Sequence, residues 1–174
     1  MEKIIPKNKY NIFPDTIHGS GNEQLTFAIQ VGMAVKDMDK AMAEMKRIFN
    51  AEPSATNELT PPNAKFRGKD ADFSLKIAYY DFANIEFELI QPLAGENVWF
   101  DHFKDNTCSL HHVRFNVKDY DSVVEDMAEK GISIYQEGRV GLDPRFRWAY
   151  FDTIESLGFV LEILGLSKEL EQFA

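Results

Sequence analysis

Two ten-residue stretches decide the fold: residues 30–39 read Q-V-G-M-A-V-K-D-M-D, and residues 112–121 read H-V-R-F-N-V-K-D-Y-D. Five of the ten positions are identical in register, namely two Val, one Lys and two Asp. Apolar residues at helical spacing follow each stretch, which predicts a strand and then an amphipathic helix. Asp37 and Asp119 stand where an N-cap carboxylate would accept hydrogen bonds from the first helical turn. The chain therefore contains an internal repeat.

A second pair of matching segments lies further along each copy. A-Y-Y-D at 78–81 precedes I-E-F-E-L-I at 85–90, and A-Y-F-D at 149–152 precedes F-V-L-E-I-L at 159–164. Both apolar segments have the composition of strands, so each copy is predicted to be a βαβββ module. We predict an α+β fold in which two βαβββ modules form a curved mixed sheet around a central cleft. Equivalent positions of the two copies then face each other across that cleft.

These matches predict how the chain is divided. We expect an N-terminal arm over residues 1–25, which are polar and interrupted by prolines, and a single domain over 26–174. Within the domain, module one is predicted over 27–92, a linker with a short helix over 93–108, and module two over 109–166.

Composition and charge exclude several classes of protein. Hydrophobic residues make up 44% of the 174 residues and charged residues 27%, as in ordinary globular proteins. The 28 acidic residues outnumber the 19 basic ones, and a net charge of -9 argues against nucleic-acid binding. The single Cys108 forms no internal disulfide, which is typical of a reducing compartment. We find no apolar run of the roughly 20 residues that span a bilayer, and the proline-interrupted N-terminal residues are not expected to form a signal peptide. The sequence therefore predicts a cytoplasmic protein with no membrane partner.

Polar residues interrupt the apolar strands at matched places in the two copies. Gln30 interrupts the first predicted strand of its copy and His112 opens that of the other, at equivalent positions, and Glu88 and Glu162 lie in the last strands. A carboxylate within a sheet is costly unless it is neutral, paired or bound to a metal. The alternative is a strand register that points Glu162 to solvent or to Arg145.

Four such side chains meeting at a pseudo-two-fold axis would form a metal site with nitrogen and oxygen ligands. Two carboxylates, an imidazole and an amide oxygen suit a divalent Zn, Ni, Co, Mn or Fe ion, and the absence of a thiolate disfavours a structural zinc. Glu86 lies on the same strand face as Glu88 and is an alternative ligand, which spacing alone does not separate. Strand alternation predicts that the neighbouring His111 points to the opposite face of the sheet.

Other charged and aromatic residues lie near the predicted cleft. We expect the four basic residues that flank the cleft-edge segments to be solvated or to contact an anionic substrate. They are Lys65, Arg67, Arg145 and Arg147. Four aromatic residues are predicted to be core or cleft walls, namely Tyr79, Trp99, Trp148 and Tyr150.

The paired modules, the openings QVGMAVKDMDKA and HHVRFNVKDYDSV, and the endings FELIQPL and GFVLEIL resemble the vicinal oxygen chelate superfamily. That superfamily contains glyoxalases, methylmalonyl-CoA epimerases, extradiol dioxygenases and bleomycin-resistance proteins. The resemblance covers about 140 residues, and it implies that Gln30, Glu88, His112 and Glu162 bind one divalent metal ion. It also implies a small-molecule substrate and a homodimer.

Within the superfamily, ELIQPL and LHHVRFNVKD look most like the methylmalonyl-CoA epimerase group. The resemblance implies a metal-dependent isomerase or lyase that removes a proton next to a carbonyl through an enediolate or enolate. Glu162 is then the expected base, with Glu88 on the opposite side of the metal. Epimerases use a further carboxylate from the first module, for which Glu58 is a candidate. Two alternatives stay open: a lactoylglutathione lyase (glyoxalase), and a metal-free binding or resistance protein.

Overall fold

The computed structural model describes residues 24–103, 107–141, 143 and 145–168. The predicted N-terminal arm, residues 1–25, lies outside the described residues except for 24 and 25. The described residues form ten strands and four helices, in the order β1 (Ala28–Val35), α1 (Met38–Phe49), β2 (Ala55–Leu59), β3 (Lys65–Phe66), β4 (Lys69–Asp70), β5 (Ser74–Asp81), β6 (Glu86–Ala94), α2 (Val98–His102), β7 (Cys108–Val117), α3 (Tyr120–Glu129), β8 (Ile134–Arg139), β9 (Phe146–Phe151), α4 (Ile154–Leu157) and β10 (Val160–Leu166).

The strands form one mixed sheet in the order β2-β5-β6-β1-β7-β10-β9-β8-β3-β4. The first strands of the two copies, β1 and β7, are antiparallel neighbours at its centre. From there the two halves run outward in equivalent orders, β1-β6-β5-β2 in the first copy and β7-β10-β9-β8 in the second. The pairs β1/β6 and β7/β10 are parallel. The predicted α+β fold with two βαβββ modules in a curved mixed sheet is confirmed.

The strand register shows the repeat residue by residue. In the first copy β1 aligns with β6, and in the second copy β7 aligns with β10. The pair Gln30–Glu86 in the first copy corresponds to His112–Val160 in the second. Two residues further along, Gly32–Glu88 corresponds to Arg114–Glu162. Glu88 and Glu162 therefore occupy equivalent places.

A short connection requires the sheet to curl. Strands β2 and β3 are eight positions apart in the sheet order, which is about 38 Å in a flat sheet. The chain covers that separation between Leu59 and Lys65, and six residues extend at most about 20 Å. The hairpin β3–β4 of the first copy consequently pairs with β8 of the second.

Two layers of side chains cover the two faces of the sheet. Helix α3 packs on the outer face, where Val123 and Met127 belong to the same apolar cluster as Phe151 and Ile163. The inner face holds an apolar cluster that includes both Ile77 of β5 and Phe66 of β3, so this cluster fills the inside of the curl.

Helices α1 and α3 begin at the predicted N-caps. Asp37 accepts a hydrogen bond from the backbone of Lys40, and Asp119 accepts one from the backbone of Ser122. No helix in the described part of the chain combines the length and apolar character that crossing a bilayer requires.

Candidate metal centre

The structure brings together the four side chains that the repeat singles out. Gln30, Glu88, His112 and Glu162 come from β1, β6, β7 and β10, the four central strands of the sheet. His112 Nε2 lies 3.3 Å from Gln30 Oε1, 3.3 Å from Glu88 Oε2 and 3.1 Å from Glu162 Oε2. All four residues are buried. Glu162 thus faces its equivalent Glu88 across the imidazole, and not solvent or Arg145.

Gly32 makes room for the imidazole at the centre of this cluster. It lies opposite His112 in the sheet, and a Cβ atom at residue 32 would stand 1.8 Å from Cε1 of the His112 ring. Only a residue without a side chain leaves this space open. The glycine of the first copy thus accommodates the histidine of the second.

The prediction that His111 points to the opposite sheet face is wrong. The register between β1 and β7 shifts after Gly32–His112, because the next pair is Met33–Leu110. This β-bulge makes His111 the additional residue and turns its ring toward its neighbour, as bulges re-aim side chains. His111 Nδ1 lies 3.0 Å from His112 Nδ1.

The histidine pair controls which nitrogen of His112 carries the proton. Burial, and then the neighbouring His112 and His102, lower the pKa of His111 well below its usual value, so His111 is neutral near pH 7. When His112 Nδ1 accepts from His111, His112 Nε2 presents an N–H to the three oxygens. When His112 Nδ1 donates, Nε2 presents a lone pair, which is the form that ligates a metal.

The structure separates the two glutamates of β6. Glu88 contacts His112, whereas Oε1 of Glu86 accepts a hydrogen bond of 2.7 Å from Gln30 Nε2. That bond fixes the amide orientation, because the nitrogen faces Glu86 and the oxygen faces His112. Glu86 also lies 3.4 Å from Nη2 of Arg114. Glu86 is thus a positioning residue for Gln30.

Two equivalent tyrosines stand beside the two carboxylates. Tyr79 is opposite Glu88 in the sheet, and Tyr150 is opposite Glu162. The Tyr150 ring lies 5.0 Å from the His112 ring, centroid to centroid. Burial raises the pKa of both phenols, so they stay neutral hydrogen-bond donors. Of the two predicted places, core or cleft wall, the structure shows the core: Tyr150 belongs to the inner apolar cluster, and Tyr79 packs against it.

The electrostatics of the cluster favour a cation. Burial raises the pKa of Glu162 to about 7, against the lowering effect of His112 and Arg114, and the neighbouring Glu88 raises it further. Glu162 Oε2 accepts no well-aligned hydrogen bond from any described residue, although His112 Nε2 is 3.1 Å away. A buried carboxylate oxygen without a hydrogen-bond donor destabilises the folded protein, and a bound metal ion would offset this desolvation cost.

The donor atoms have the chemistry and the spacing for a divalent metal. Within the described ranges no group of three or more His, Cys, Asp or Glu side chains is already arranged as a metal site. The three oxygen atoms nevertheless lie 3.1 to 3.3 Å from His112 Nε2. These distances match the separation of two neighbouring ligand atoms that bind the same metal ion. Metal–ligand bonds of about 2.1 Å give edges of about 3.0 Å in an octahedron and about 3.4 Å in a tetrahedron. The residues therefore fit a Zn, Ni, Co, Mn or Fe ion.

The other predicted contacts lie apart from this cluster. Glu58 is exposed on the edge strand β2, and Lys65 is exposed on β3. The three predicted arginines form ion pairs elsewhere, namely Arg67 with Asp101, Arg145 with Asp143 and Arg147 with Glu137.

Arg114 is the basic residue that reaches the cluster, and it was not among the predicted contacts. Arg114 follows His112 by two positions on a strand, so the two side chains share one face of the sheet. That spacing is the signal by which the sequence alone would have indicated it.

The comparisons with known proteins agree with the fold. A model of the Glyoxalase/Bleomycin resistance protein/Dioxygenase superfamily matches residues 29–150. Mitochondrial methylmalonyl-CoA epimerase from Bos taurus is 26% identical over 113 residues, which are 64% of this chain and 58% of that protein. The chain thus spans less than two thirds of the length of this relative.

Solved structures with this fold are similar at low identity. A hypothetical protein from Bacillus halodurans C-125 has a TM-score of 0.60 at 17% identity, over 80% of this chain and 93% of that chain. Methylmalonyl-CoA epimerase from Mycobacterium tuberculosis has a TM-score of 0.57 at 15% identity, over 89% and 97%. A variant of the Streptomyces coelicolor epimerase in complex with 2-nitronate-propionyl-CoA has a TM-score of 0.54 at 18% identity, over 82% and 95%. The chain belongs to the glyoxalase/bleomycin resistance protein/dioxygenase superfamily.

Proposed function

We propose that this protein is a divalent-metal-dependent enzyme that removes and returns a proton next to a carbonyl, as an isomerase of the epimerase type. The observation that carries the proposal is the placement of two buried carboxylates, Glu88 and Glu162, within 3.3 Å of one imidazole nitrogen. The resemblance to methylmalonyl-CoA epimerases supports the same chemistry. Methylmalonyl-CoA is therefore the first substrate to test.

A metal held by Gln30, Glu88, His112 and Glu162 would supply the Lewis acid that stabilises negative charge on a carbonyl oxygen. The residues of this chain perform the proton transfers. In the metal-free protein burial raises the pKa of Glu162 to about 7, so this carboxylate binds a proton more tightly than a solvated one. Glu162 takes the proton from the carbon next to the carbonyl.

Glu88 provides the second carboxylate that inversion at carbon requires. The repeat places it at the position equivalent to Glu162, on the other copy of the module. A substrate carbon between the two carboxylates loses a proton from one face and receives one on the other face.

Exchange of the substrate α-proton with D₂O, followed by NMR, tests the proposal. We expect wild-type protein with Co²⁺ to exchange the α-proton of methylmalonyl-CoA, and Glu162→Gln to be slower by about 10²- to 10⁴-fold, since a general base contributes that much. Glu58→Gln removes an exposed carboxylate and is the matched control. The hemithioacetal of glutathione, assayed in parallel, separates epimerase from glyoxalase activity. No exchange with either substrate would contradict the proposal and favour a metal-free binding protein.

The assembly and the location of the protein stay predictions. We propose a homodimer, as the resemblance to the superfamily implies, and a cytoplasmic location, as the composition of the sequence predicts. The exposed free thiol of Cys108 agrees with a reducing compartment.

A further inference from the structure

Arg114 is a guanidinium on the inner face of the sheet, beside the candidate metal centre. It follows His112 on β7 and lies opposite Gln30 on one side and Glu162 on the other. Its side chain is 14% exposed. Arg114 is therefore largely shielded from solvent, with a small part of its side chain still accessible.

The hydrogen-bonding capacity of Arg114 is mostly unused by the described residues. A guanidinium has five N–H donors, and the hydrogen bond that we find runs from Nη2 to Glu86 Oε1 over 3.4 Å, which is long for an ion pair. The buried Nε–H has no acceptor within the described ranges. A buried guanidinium with open donors is suited to accept a planar anion in two parallel hydrogen bonds.

For an anionic substrate, the net charge of the metal-loaded site depends on Arg114. Glu86, Glu88 and Glu162 contribute three negative charges when ionised, and a divalent cation together with Arg114 would balance them. Without Arg114 the metal-loaded site would carry one net negative charge and repel an anionic group. With Arg114 the site is neutral and has a positive group at one side.

The repeat shows that this charge is specific to one side of the cleft. The position equivalent to Arg114 in the first copy is Gly32, which must lack a side chain because the His112 ring occupies that space. An anionic substituent thus finds a partner on the β7 side alone. This asymmetry would orient a substrate in one direction between the two carboxylates.

We propose that Arg114 is a specificity-determining residue that binds a carboxylate of the substrate close to the reacting carbon. The inference rests on the proposed function, since it assigns the substrate class of the same site. The reacting carbon is therefore flanked by a carbonyl on the metal side and by a carboxylate on the Arg114 side.

Calorimetric titration with two small probes tests this assignment. Malonate has two carboxylates, whereas malonamate has one carboxylate and one neutral amide of similar shape. We expect Co²⁺-loaded wild-type protein to bind malonate about tenfold or more tightly than malonamate, the factor that a hydrogen-bonded charge pair supplies. Arg114→Gln should lose this preference, and Arg67→Gln, which removes an exposed guanidinium, should keep it.

A third variant guards against a folding defect in Arg114→Gln. Arg114→Lys keeps the charge but lacks the planar fork, so the preference for malonate should decrease several-fold without disappearing. A purely structural role of Arg114 would leave the ratio of the two affinities unchanged in this variant.

The outcomes separate this inference from the proposed function. Each titration is run with and without Co²⁺, and the α-proton exchange assay is run on the same preparations. An unchanged preference in Arg114→Gln or Arg114→Lys, or no malonate binding by wild type in either metal state, would overturn the role of Arg114. Loss of exchange with an intact, Arg114-dependent malonate preference would instead overturn the proposed reaction.

Discussion

At the scale of single residues, the space above Gly32 is what allows the site to form. The His112 ring passes over this glycine to reach the three oxygens, and a methyl group there would overlap its Cε1 atom. The glycine is thus required for packing against a ligand side chain and not for an unusual backbone angle.

Gly32→Ala should displace the His112 ring and destabilise the fold by about 1–3 kcal/mol, the usual cost of overpacking. Chemical denaturation measures this cost, and a double-mutant cycle with His112→Ala identifies its cause. In the His112→Ala background the additional cost should be close to zero, because the ring is absent. An equal cost in both backgrounds would show that the ring is not what the methyl group meets.

Glu162 is a residue whose burial opposes folding in the metal-free protein. Its pKa in the folded state is about 7, above the ordinary value of 4.5. The unfolded chain therefore ionises Glu162 first, so the stability of the folded state decreases as pH rises from about 4.5 through 7.

Glu162→Gln should consequently stabilise the metal-free protein at pH 8 by roughly 1–3 kcal/mol and have a smaller effect at pH 5. Urea unfolding in the presence of a chelator, at both pH values, measures the difference. Glu58→Gln, on an exposed edge strand, serves as the baseline. A variant that is less stable than wild type by the same amount at both pH values would refute this account of Glu162.

At the scale of elements, the hairpin β3–β4 holds the two ends of the curled sheet together. It belongs to the first copy, yet it pairs with β8 of the second, and Phe66 lies in the inner apolar cluster at 8% exposure. The ring of Phe66 also stacks near Tyr135 of β8, with centroids 5.6 Å apart.

Phe66→Ala should destabilise the protein by about 3–4 kcal/mol, as large truncations in a core do. Phe100, which is 45% exposed on α2, is the matched control, and Phe100→Ala should cost less than about 1 kcal/mol. Thermal or urea unfolding of both variants gives the comparison. A small effect of Phe66→Ala would mean that the hairpin does not stabilise the curl.

The sequence predicted the elements that repeat and missed those that do not. The N-caps Asp37 and Asp119 and the equivalence of Glu88 with Glu162 follow from local patterns that occur twice. The β-bulge at His111 and the pairing of β3 with β8 occur once and depend on contacts between distant segments. The pattern of apolar and polar residues within one segment predicts its own strand or helix, and it does not predict which distant segment it contacts.

At the scale of the whole molecule, the duplicated module explains why two carboxylates meet at one imidazole. Antiparallel pairing of β1 with β7 at the centre of the sheet brings the equivalent last strands to either side. The first copy then contributes a carboxylate and an amide to this point, and the second copy contributes a carboxylate and an imidazole. The departures from symmetry, Glu86 and Arg114, lie next to each other, with Glu86 Oε1 at 3.4 Å from Arg114 Nη2.

The central claim is that this point holds one divalent metal ion. Its most direct test is the metal content of purified protein after loading with Co²⁺ and dialysis, measured by mass spectrometry. We predict about one equivalent per chain in wild type, and a loss of affinity of at least about tenfold in His112→Ala, because a ligand is removed. No bound metal in wild type, or the same content in His112→Ala, would contradict the claim.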